Sequence, residues 1–208
     1  MHPPIRPASR ILTERLVLRC YQPADAPLLR AAIVASADHL RPWMPWAARE
    51  PKHEATIARR LRRFRGRFDL GKDFIYGLFD RDERRVLGGS GLHRSIGAGA
   101  REIGYWLHAD CTGRGYATEA AAALTRVGFE HEALTRIEIH CDPRNGPSTG
   151  VPMRLGFVLQ TTVRDRVPGP RGPRRDTMIW RLDAGTYAAS PATSAKIRAF
   201  DATGRRVL

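Results

Sequence analysis

Cysteine, long apolar runs and acidic residues are all scarce in this chain. Its 208 residues include three cysteines, Cys20, Cys111 and Cys141, which are too few and too scattered for a disulfide framework and favour reduced thiols. No apolar stretch approaches the roughly 18 residues needed to cross a bilayer, and residues 1–4 lack the apolar segment of a signal peptide. We therefore expect a cytoplasmic protein that makes no membrane contact.

Acidic side chains are fewer than basic ones: the chain has 21 Asp and Glu and 35 Lys and Arg, which gives a net charge of +14. A surplus of this size attracts nucleic acid, acidic protein or polyphosphate ligands, although it does not specify a fold. It is concentrated in two stretches, with six arginines in residues 59–67 and five in residues 164–175. For the first stretch we expect the solvated face of a helix, with contact to an acidic protein or to RNA as the alternative.

The rest of the composition is that of one folded domain. Hydrophobic residues make up 42% of the chain, and a chain of this length buries roughly 70% of the surface that it exposes when unfolded. We divide the chain into a leader (residues 1–12), a domain (residues 13–183) and a C-terminal extension (residues 184–208). In the extension, Ser190 and Pro191 are typical of a helix start and predict a short helix that runs to Phe200.

The order of the predicted elements is that of a mixed α/β domain. Periodicity and turn residues predict helices over residues 23–37, 57–68, 117–130 and 147–155, and strands over residues 15–19, 74–80, 86–96, 101–108, 136–141, 157–163 and 177–182. The strands between residues 74 and 108 form an antiparallel meander. In residues 40–46, two prolines argue against a helix, and Trp43 and Trp46 either pack the loop on the core or form the wall of a substrate pocket.

A glycine-rich turn precedes the alanine-rich helix. Gly113 and Gly115 allow a ligand to approach the backbone closely, and the free N–H groups of the helix start favour a phosphate. The dinucleotide fingerprint G-x-G-x-x-G fails because Thr118 stands at its last glycine position, and the Gly-Lys-Ser/Thr of a P-loop is missing. From these residues alone, the turn either only connects the strand to the helix or binds a pyrophosphate with another geometry.

Several segments of the chain carry a family resemblance. They are residues 13–19 (TERLVLR), 43–46 (WMPW), 102–107 (EIGYWL), 113–120 (GRGYATEA), 155–157 (LGF) and 176–180 (DTMIW), together with Asn145 and Ser148. In this order they resemble the GNAT superfamily of N-acetyltransferases, and within it the RimJ/RimL-like branch of ribosomal-protein N-terminal acetyltransferases. The resemblance covers about residues 10–182. At Thr112 the chain departs from the family pattern, which has Gln or Arg there.

The resemblance implies a GNAT fold, in which a central, mixed and mostly antiparallel sheet splays at the cofactor site and is flanked by helices. It also implies acetyl-CoA as co-substrate, without a metal. The pantetheine arm would follow the backbone of Tyr105, Trp106 and Leu107, with Asn145 on the far side of the gap. From the residues alone, Asn145 also suits a turn, and Trp106 also suits the core. The phosphates would bind at the glycine-rich turn, which comprises Thr112, Gly113, Arg114, Gly115, Tyr116, Ala117 and Thr118.

The implied reaction is direct attack of a neutral amine on the thioester. Deprotonating a lysine-like amine at pH 7.4 costs about 4 kcal/mol, whereas an α-amine costs less than about 1 kcal/mol, so that an α-amine needs only a modest base. Glu102 is the first candidate for this base, and an exposed carboxylate at a strand end is the alternative. Ser148 stands where the branch has a serine proposed to protonate the leaving thiolate, and a helix N-cap is its alternative.

We expect neither a nucleophilic cysteine nor a zinc site. Cys111 has no evident paired base, and the implied reaction needs no acyl-enzyme. His108, Cys111, His140 and Cys141 have the chemistry of zinc ligands. However, His140 and Cys141 are consecutive on a strand, so that their side chains point to opposite faces and do not readily share one metal.

The sequence thus predicts an acetyl-CoA-dependent N-acetyltransferase that acts on a primary amine, in particular the α-amino group of a protein, peptide or amino acid. Trp43 and Trp46 would bind this acceptor. Two alternatives stay open: acetylation of a small-molecule amine such as an antibiotic or a polyamine, and a basic RNA- or ribosome-associated protein that retains the fold. The net charge of +14 disfavours a polycationic acceptor. Expected partners are the amine substrate, an acidic protein or the ribosome, and a second copy of the chain.

Overall fold

A computed structural model describes residues 7–168 and 174–208 of the chain. Its strands are β1 (Arg10–Leu12), β2 (Val17–Cys20), β3 (Phe74–Phe79), β4 (Val86–His93), β5 (Ala100–Leu107), β6 (Arg136–Cys141), β7 (Val158–Val167), β8 (Arg175–Asp183) and β9 (Arg198–Phe200). Its helices are α1 (Ala26–Leu40), α2 (Glu54–Asp69), α3 (Tyr116–Arg126), α4 (Gly146–Arg154) and α5 (Ala184–Tyr187). Short 3₁₀ turns lie at Pro23–Asp25, Pro45–Arg49, Ala109–Cys111 and Pro191–Ser194, and a π-helical turn, Val127–His131, continues α3.

The nine described strands form one sheet in the order β7-β8-β6-β5-β4-β3-β2-β1-β9. Among them, β5 and β6 pair in parallel and every other neighbouring pair is antiparallel. The register between β5 and β6 begins at Ala100 opposite Arg136 and stops at Ile103 opposite Ile139. Beyond Ile103, β5 continues to Leu107 while it pairs with β4 alone. The α/β class and the splayed, mostly antiparallel sheet are confirmed.

Helices cover the sheet through two groups of buried apolar side chains. In α2, Ile57, Leu61 and Phe68 are buried, as their helical spacing predicts. Ile57 and Leu61 join Ile33 of α1 in one cluster with residues of β2 and β3. In α3, a run of buried alanines joins the larger core. Alanine has little bulk, so α3 packs close to β4 and β5.

The sheet extends beyond both ends of the proposed domain. β1 lies in the leader, and β9 lies in the C-terminal extension; the two strands pair with each other and form one edge of the sheet. The helix predicted from Ser190 to Phe200 is confined to the 3₁₀ turn Pro191–Ser194. The chain then becomes a strand because Ala199 pairs with Ile11 and is fully buried. A pairing partner distant in sequence overrides the local helix start.

Two further local predictions need correction. The strand predicted at residues 15–19 begins later, at Val17, because Thr13 and Leu16 close a turn: the Leu16 N–H donates to Thr13 Oγ1 at 2.9 Å. The prolines of residues 40–46 do not exclude helical structure, since Pro45 occupies the first position of the 3₁₀ turn Pro45–Arg49. Proline is tolerated there because its missing N–H would have no partner in the turn. In the part of the chain that the structure describes, every helix is too short or too polar to span a bilayer.

Candidate functional site

A cavity of about 590 Å³ lies where β5 and β6 separate. Its walls include seven of the residues predicted from the sequence, which are Trp43, Trp46, Glu102, Tyr105, Trp106, Asn145 and Ser148. The splay therefore brings together the candidate base, the candidate proton donor and the two tryptophans predicted to bind the acceptor. Leu107 and residues 112–118 do not line this cavity; they lie at the end of β5 and around the start of α3.

Ser148 lies in the first turn of α4, and the helix cap is a different residue. Asn145 is the N-cap, and its Oδ1 accepts a hydrogen bond from the Ser148 N–H at 3.3 Å. The capping alternative considered for Ser148 is therefore wrong, because the backbone rather than the hydroxyl of Ser148 takes part in the cap. Asn145 combines its place in the cavity wall with this turn role.

Tyr105 connects β5 to α4 across the gap. Its Oη lies 2.9 Å from the Ser148 carbonyl oxygen and 3.2 Å from Ser148 Oγ. Burial raises the pKa of Tyr105 well above its ordinary value, so that the phenol keeps its proton. When that proton goes to the carbonyl, the hydroxyl of Ser148 donates to Oη. Ser148 is thus held at the cavity with a hydroxyl proton that it can redirect.

Glu102 lies on β5 beside the cavity and is about one quarter exposed, with 26% of its side chain accessible. Its Oε2 accepts a hydrogen bond from Ser95 Oγ at 3.0 Å and lies 3.5 Å from His140 Nδ1. His140 Nε2 is in turn 2.7 Å from Glu138 Oε2. The carboxylate is therefore part of a chain of polar side chains and is not an isolated charge at a strand end.

The glycine-rich turn has the backbone that its composition predicts. Gly113 and Gly115 have φ values of +72° and +80°, in the left-handed region that side chains disfavour. Gly115 is the N-cap of the 11-residue helix α3 and offers no side chain to cap it. In the described residues, the N–H groups of Tyr116, Ala117 and Thr118 have no backbone acceptor, and the first such bond runs from Glu119 to the Gly115 carbonyl. Three donors therefore point outward from a positive helix end.

The turn before β2 holds the glycine-rich turn in place. Glu119 Oε1 accepts from Thr13 Oγ1 at 2.6 Å and from the Arg15 N–H at 2.9 Å, while Arg15 Nε donates to Glu119 Oε2 at 2.7 Å. Arg15 Nη1 also donates to the Arg114 carbonyl at 2.8 Å, and its guanidinium covers the Tyr116 ring. Residues 13–15 and Glu119 are therefore in contact although they are distant in sequence. The sequence alone gives no indication of this contact.

A buried arginine fastens the tryptophan loop over the cavity. Arg175 of β8 donates to the Pro42 carbonyl at 2.7 Å and to the Trp43 carbonyl at 3.2 Å, and it lies 3.3 Å from Asp142 Oδ2. Burial alone would raise the pKa of Asp142, but hydrogen bonds from Arg144 and the charge of Arg175 outweigh it and lower this pKa. The loop is therefore anchored by a guanidinium that stays paired with an ionised carboxylate.

The tryptophans themselves are only partly enclosed. Trp46 is 38% exposed and meets Trp106 edge to face, with ring centroids 5.8 Å apart. Both indoles reach the cavity wall, as does Trp43. The loop thus contacts β5 and also presents aromatic surface to the cavity, so that the two interpretations of residues 43–46 are both compatible with its position.

Arginines of two elements, α2 and β7, line the cavity. Arg60 of α2 lines the cavity and pairs with the buried Glu50 at 2.5 Å. Arg166 of β7 also lines the cavity. Four further arginines of α2, which are Arg59, Arg62, Arg63 and Arg67, are exposed. The arginine-rich stretch is therefore mainly a solvated helix face, as expected; Arg171 of the second stretch lies outside the described residues.

From the sequence, His140 is a candidate metal ligand only. Its contacts with Glu102 and Glu138 emerge from the fold. The available signal was the spacing of Glu138 and His140, since residues two apart on a strand share a face. Arg175 was counted only as part of a basic cluster. No local pattern distinguishes it, because its partners lie on other elements. Within residues 7–168 and 174–208, no three His, Cys, Asp or Glu side chains form a group suited to a metal ion.

A mixed sheet that parts beside an uncapped helix start, with a cavity at the gap, is the architecture of a coenzyme-A-type acetyltransferase. The chain belongs to the GNAT acetyltransferase family: the family's acetyltransferase (GNAT) domain matches residues 15–158, which is more than half of the chain. The protein is therefore an N-acetyltransferase.

The relatives confirm the resemblance to the RimJ/RimL-like branch. The ribosomal protein uS5 alanine N-acetyltransferase of Escherichia coli K12 is 27% identical over 161 residues, which cover 76% of this chain and 83% of the relative. RimJ of Mycobacterium smegmatis, solved with a CoA disulfide, has a TM-score of 0.77 at 24% identity and covers 93% of this chain and 95% of its own. The ribosomal-protein-S5-alanine acetyltransferase of Vibrio fischeri has a TM-score of 0.73 at 22% identity, with coverages of 86% and 98%. These structural likenesses show the fold.

Proposed function

We propose that the protein transfers the acetyl group of acetyl-CoA directly to the α-amino group of a peptide or protein. The observation that carries the proposal is the single cavity that joins Glu102, Ser148 and the tryptophan loop at the splay of β5 and β6. The reaction needs a base and a proton donor. The apolar wall and the arginines nearby suit the binding of the acceptor. The uS5 N-acetyltransferase named above supports an α-amino acceptor of this kind.

The cofactor side of the proposal rests on two elements. The outward N–H groups at the start of α3, with Gly113 and Gly115 leaving the backbone open, suit a pyrophosphate. The backbone of Tyr105, Trp106 and Leu107 has no pairing partner on the β6 side and can bond a pantetheine arm. Bound there, acetyl-CoA would supply the acetyl group as a thioester. Thr112, Arg114 and Thr118 complete the loop, and Asn145 completes the far side.

Glu102 accepts the proton of the acceptor amine in this proposal. Its carboxylate lines the cavity, and Ser95 and His140 stand beside Oε2. Because an α-amine needs only about 1 kcal/mol or less of deprotonation at neutral pH, a base of modest strength suffices. A lysine side chain would demand about 4 kcal/mol, which favours an α-amine over a lysine at this site.

Ser148 supplies the proton for the leaving sulfur. Its Oγ lies 3.2 Å from Tyr105 Oη, and Tyr105, whose pKa is raised by burial, keeps its own proton and orients the serine hydroxyl. The attack needs no nucleophilic side chain on the protein. Burial raises the pKa of the Cys141 thiol to about 11, which leaves this cavity cysteine protonated and a poor nucleophile.

The acceptor binds between the tryptophan loop and the arginines. Trp43 and Trp46 offer an apolar wall, and Arg60 and Arg166 place positive charge beside it. This combination suits a peptide N-terminus with a nearby carboxylate better than it suits a polyamine, because like charges repel. A ribosomal protein substrate would place the enzyme in the cytoplasm, in keeping with its three free cysteines. A homodimer is part of the proposal, and the exposed edge strand β7 offers a surface for it.

A panel of amines tests the proposed function. Thiol release from acetyl-CoA is measured with an alanine-initiated peptide that carries an acidic second residue, its N-terminally blocked analogue, spermidine and an aminoglycoside. We expect turnover with the free peptide and none with the blocked one. Faster turnover of spermidine or the aminoglycoside would favour small-molecule acetylation. Absence of acetyl-CoA binding together with tight RNA binding would favour the RNA-associated alternative.

A further inference from the structure

A second titratable group stands behind Glu102. Register pairs Glu102 of β5 with Glu138 of β6, and His140 follows Glu138 on the same face. His140 Nδ1 lies 3.5 Å from Glu102 Oε2, and His140 Nε2 lies 2.7 Å from Glu138 Oε2. The side chains of Glu138 and His140 are 12% and 8% exposed, against 26% for Glu102. One imidazole therefore connects a carboxylate of the cavity wall to a more enclosed carboxylate.

The contact with Glu138 determines which imidazole nitrogen can take a proton. An ionised carboxylate only accepts hydrogen bonds, so the short contact places the proton of the neutral ring on Nε2. Nδ1 then carries the lone pair, and it is the nitrogen that faces Glu102. Glu138 thus orients His140 as the carboxylate orients the histidine in a Ser-His-Asp triad.

A carboxylate alone holds the proton of an amine poorly. With ordinary pKa values, transfer from an α-ammonium to a carboxylate is unfavourable by about 3,000-fold, whereas transfer to an imidazole is unfavourable by only about 20-fold. A histidine that takes the proton from the carboxylate therefore makes the overall proton transfer much less unfavourable. The distance of 3.5 Å is slightly long for proton transfer, and contacts of this kind tighten when substrate binds.

We propose that the proton of the acceptor amine comes to rest on His140, with Glu102 as the relay that touches the amine and Glu138 as the positioning residue. The inference rests on the proposed acetyl transfer to an α-amine. Glu102 takes one proton from the ammonium and passes it to His140 Nδ1, which later releases it to water. The freed nitrogen lone pair forms the bond to the acetyl carbon as the carbon–sulfur bond breaks. The sulfur keeps the electron pair of the carbon–sulfur bond and takes a proton from Ser148. The remaining excess proton on the acetylated nitrogen then returns to Ser148.

The residues that face Glu102, Glu138 and His140 from neighbouring elements favour His140 as the final proton acceptor. On β4, His93 lies opposite Glu102 in register and also lines the cavity, with its Nδ1 2.9 Å from Asp73 Oδ1. Among the described residues, however, the imidazole in close contact with Glu102 is that of His140, at 3.5 Å. From the loop after β4, Ser95 contributes a neutral hydroxyl to Glu102 Oε2. On β6, Arg136 Nε lies 2.9 Å from Glu138 Oε1 and places a positive charge beside the second oxygen of that carboxylate. On β8, the residue opposite His140 is the apolar Ile179, and Arg181 lies opposite Glu138.

The test is the pH dependence of turnover in His140→Asn, measured by thiol release with the alanine-initiated peptide and saturating acetyl-CoA. At pH 7 we expect kcat to fall about 100-fold, within the range of general base catalysis. The KM for acetyl-CoA should change less than about twofold. At pH 9.5 the deficit should shrink to less than about tenfold, because an amine with a pKa of about 7.7–8.0 then arrives already neutral.

Two more variants complete the test. His39→Asn replaces an exposed histidine of α1 and should leave the whole profile unchanged. Glu138→Gln should reduce kcat about tenfold with the same recovery at high pH, and it decides the matter if His140→Asn does not fold. An unchanged rate, or a loss that is equal at every pH, would overturn the relay. A wild-type enzyme that does not acetylate the peptide would instead overturn the proposed function.

Discussion

Ser148 is positioned through its backbone, which leaves its hydroxyl free for chemistry. The Ser148 N–H is bound by Asn145 and its carbonyl by Tyr105, so the placement of the residue does not depend on Oγ. A serine that served the helix cap would use its side-chain oxygen for this purpose. The distinction determines what the removal of the hydroxyl should do.

We predict that Ser148→Ala lowers kcat by tenfold or more and changes the KM for acetyl-CoA by less than about twofold, because the hydroxyl acts mainly in the transition state. The melting temperature should change little, since the cap donor and acceptor stay in place. Steady-state kinetics and a thermal melt measure both effects. Thr149→Val is the matched control, because Thr149 Oγ1 bonds the Gly146 carbonyl and does not line the cavity. Normal turnover of Ser148→Ala would remove Ser148 from the mechanism.

The cavity cysteine offers a pH-dependent prediction. Burial, the largest cause, raises the pKa of Cys141 to about 11, although the neighbouring Trp180 lowers it in part. A raised thiol pKa means that the neutral form persists as the pH rises. At pH 8 about one molecule in a thousand carries the thiolate, the form that alkylating agents attack.

Iodoacetamide should therefore modify Cys141 slowly at pH 8 in the folded protein, and about tenfold faster for each pH unit up to pH 10. Peptide mass spectrometry follows Cys141 separately from the other two cysteines. The chain unfolded in guanidinium is the reference, in which the thiol has an ordinary pKa of about 8.5. Equal rates at pH 8 for the folded and unfolded chains would contradict the raised pKa.

Candidate site residues could be predicted from the sequence where they belong to a short local motif. Ser148, Glu102 and the tryptophans belong to short segments of the family pattern, and the fold brings them to one cavity. The partners of these residues could not be predicted in this way. Tyr105 reaches Ser148 from a different element, and His140 meets Glu102 only because β5 and β6 run parallel in one particular register.

At the scale of elements, the glycine-rich turn is the part whose geometry can be tested most directly. Gly115 needs a positive φ, and a side chain there would have its Cβ 3.4 Å from Arg15 Nη2. Gly204 has nearly the same φ, +82°, in a turn of the C-terminal extension where a Cβ would meet nothing within 4 Å. The two positions share the backbone strain but not the location.

Gly115→Val and Gly204→Val should each lose roughly 1–2 kcal/mol of folding free energy from the left-handed backbone. Only Gly115→Val should weaken acetyl-CoA binding, by tenfold or more, because its side chain narrows the approach to the N–H groups of α3. Titration calorimetry and denaturant melts measure the two effects. Unchanged acetyl-CoA affinity in Gly115→Val would remove this turn from the cofactor site.

The predicted elements match the structure best where periodicity and packing agree. The strand predicted at residues 136–141 has the same bounds in the structure, and α2 buries the apolar residues that its spacing marks. The β1–β9 edge of the sheet could not be predicted, because both strands are three residues long and depend on partners distant in sequence: β1 pairs with β2 and β9, and β9 pairs with β1. Short strands of this kind carry too little local pattern to outweigh the helix start at Ser190.

At the scale of the whole molecule, the positive charge is unevenly placed. Several arginines are neutralised within the fold: Arg10 and Arg19 bind Glu83, and Arg101 lies 2.9 Å from the buried Glu132. Arg166 of β7 lines the cavity instead, and Arg59, Arg62, Arg63 and Arg67 of α2 are exposed on the helix whose Arg60 also lines it. A field of this kind acts on the approach and binding of a charged acceptor.

We therefore predict that salt raises the KM for an acidic acceptor peptide several-fold between 0.05 M and 0.5 M, because the screening length falls from more than 10 Å to less than 8 Å over this range. A neutral peptide of the same length is the control, and its KM should stay within about twofold. Turnover at saturation should change little for either peptide. Equal salt dependence of the two KM values would contradict an electrostatic role for the arginines.

The position of the transferred acetyl group distinguishes an α-amine acceptor from a lysine acceptor. The enzyme is incubated with acetyl-CoA and one peptide that carries both a free α-amine and an internal lysine, and tandem mass spectrometry locates the product. We expect acetylation of the α-amine, with the lysine unmodified at pH 7.4 because deprotonation of the lysine costs about 3 kcal/mol more. Acetylation of the lysine in preference to the α-amine would contradict it.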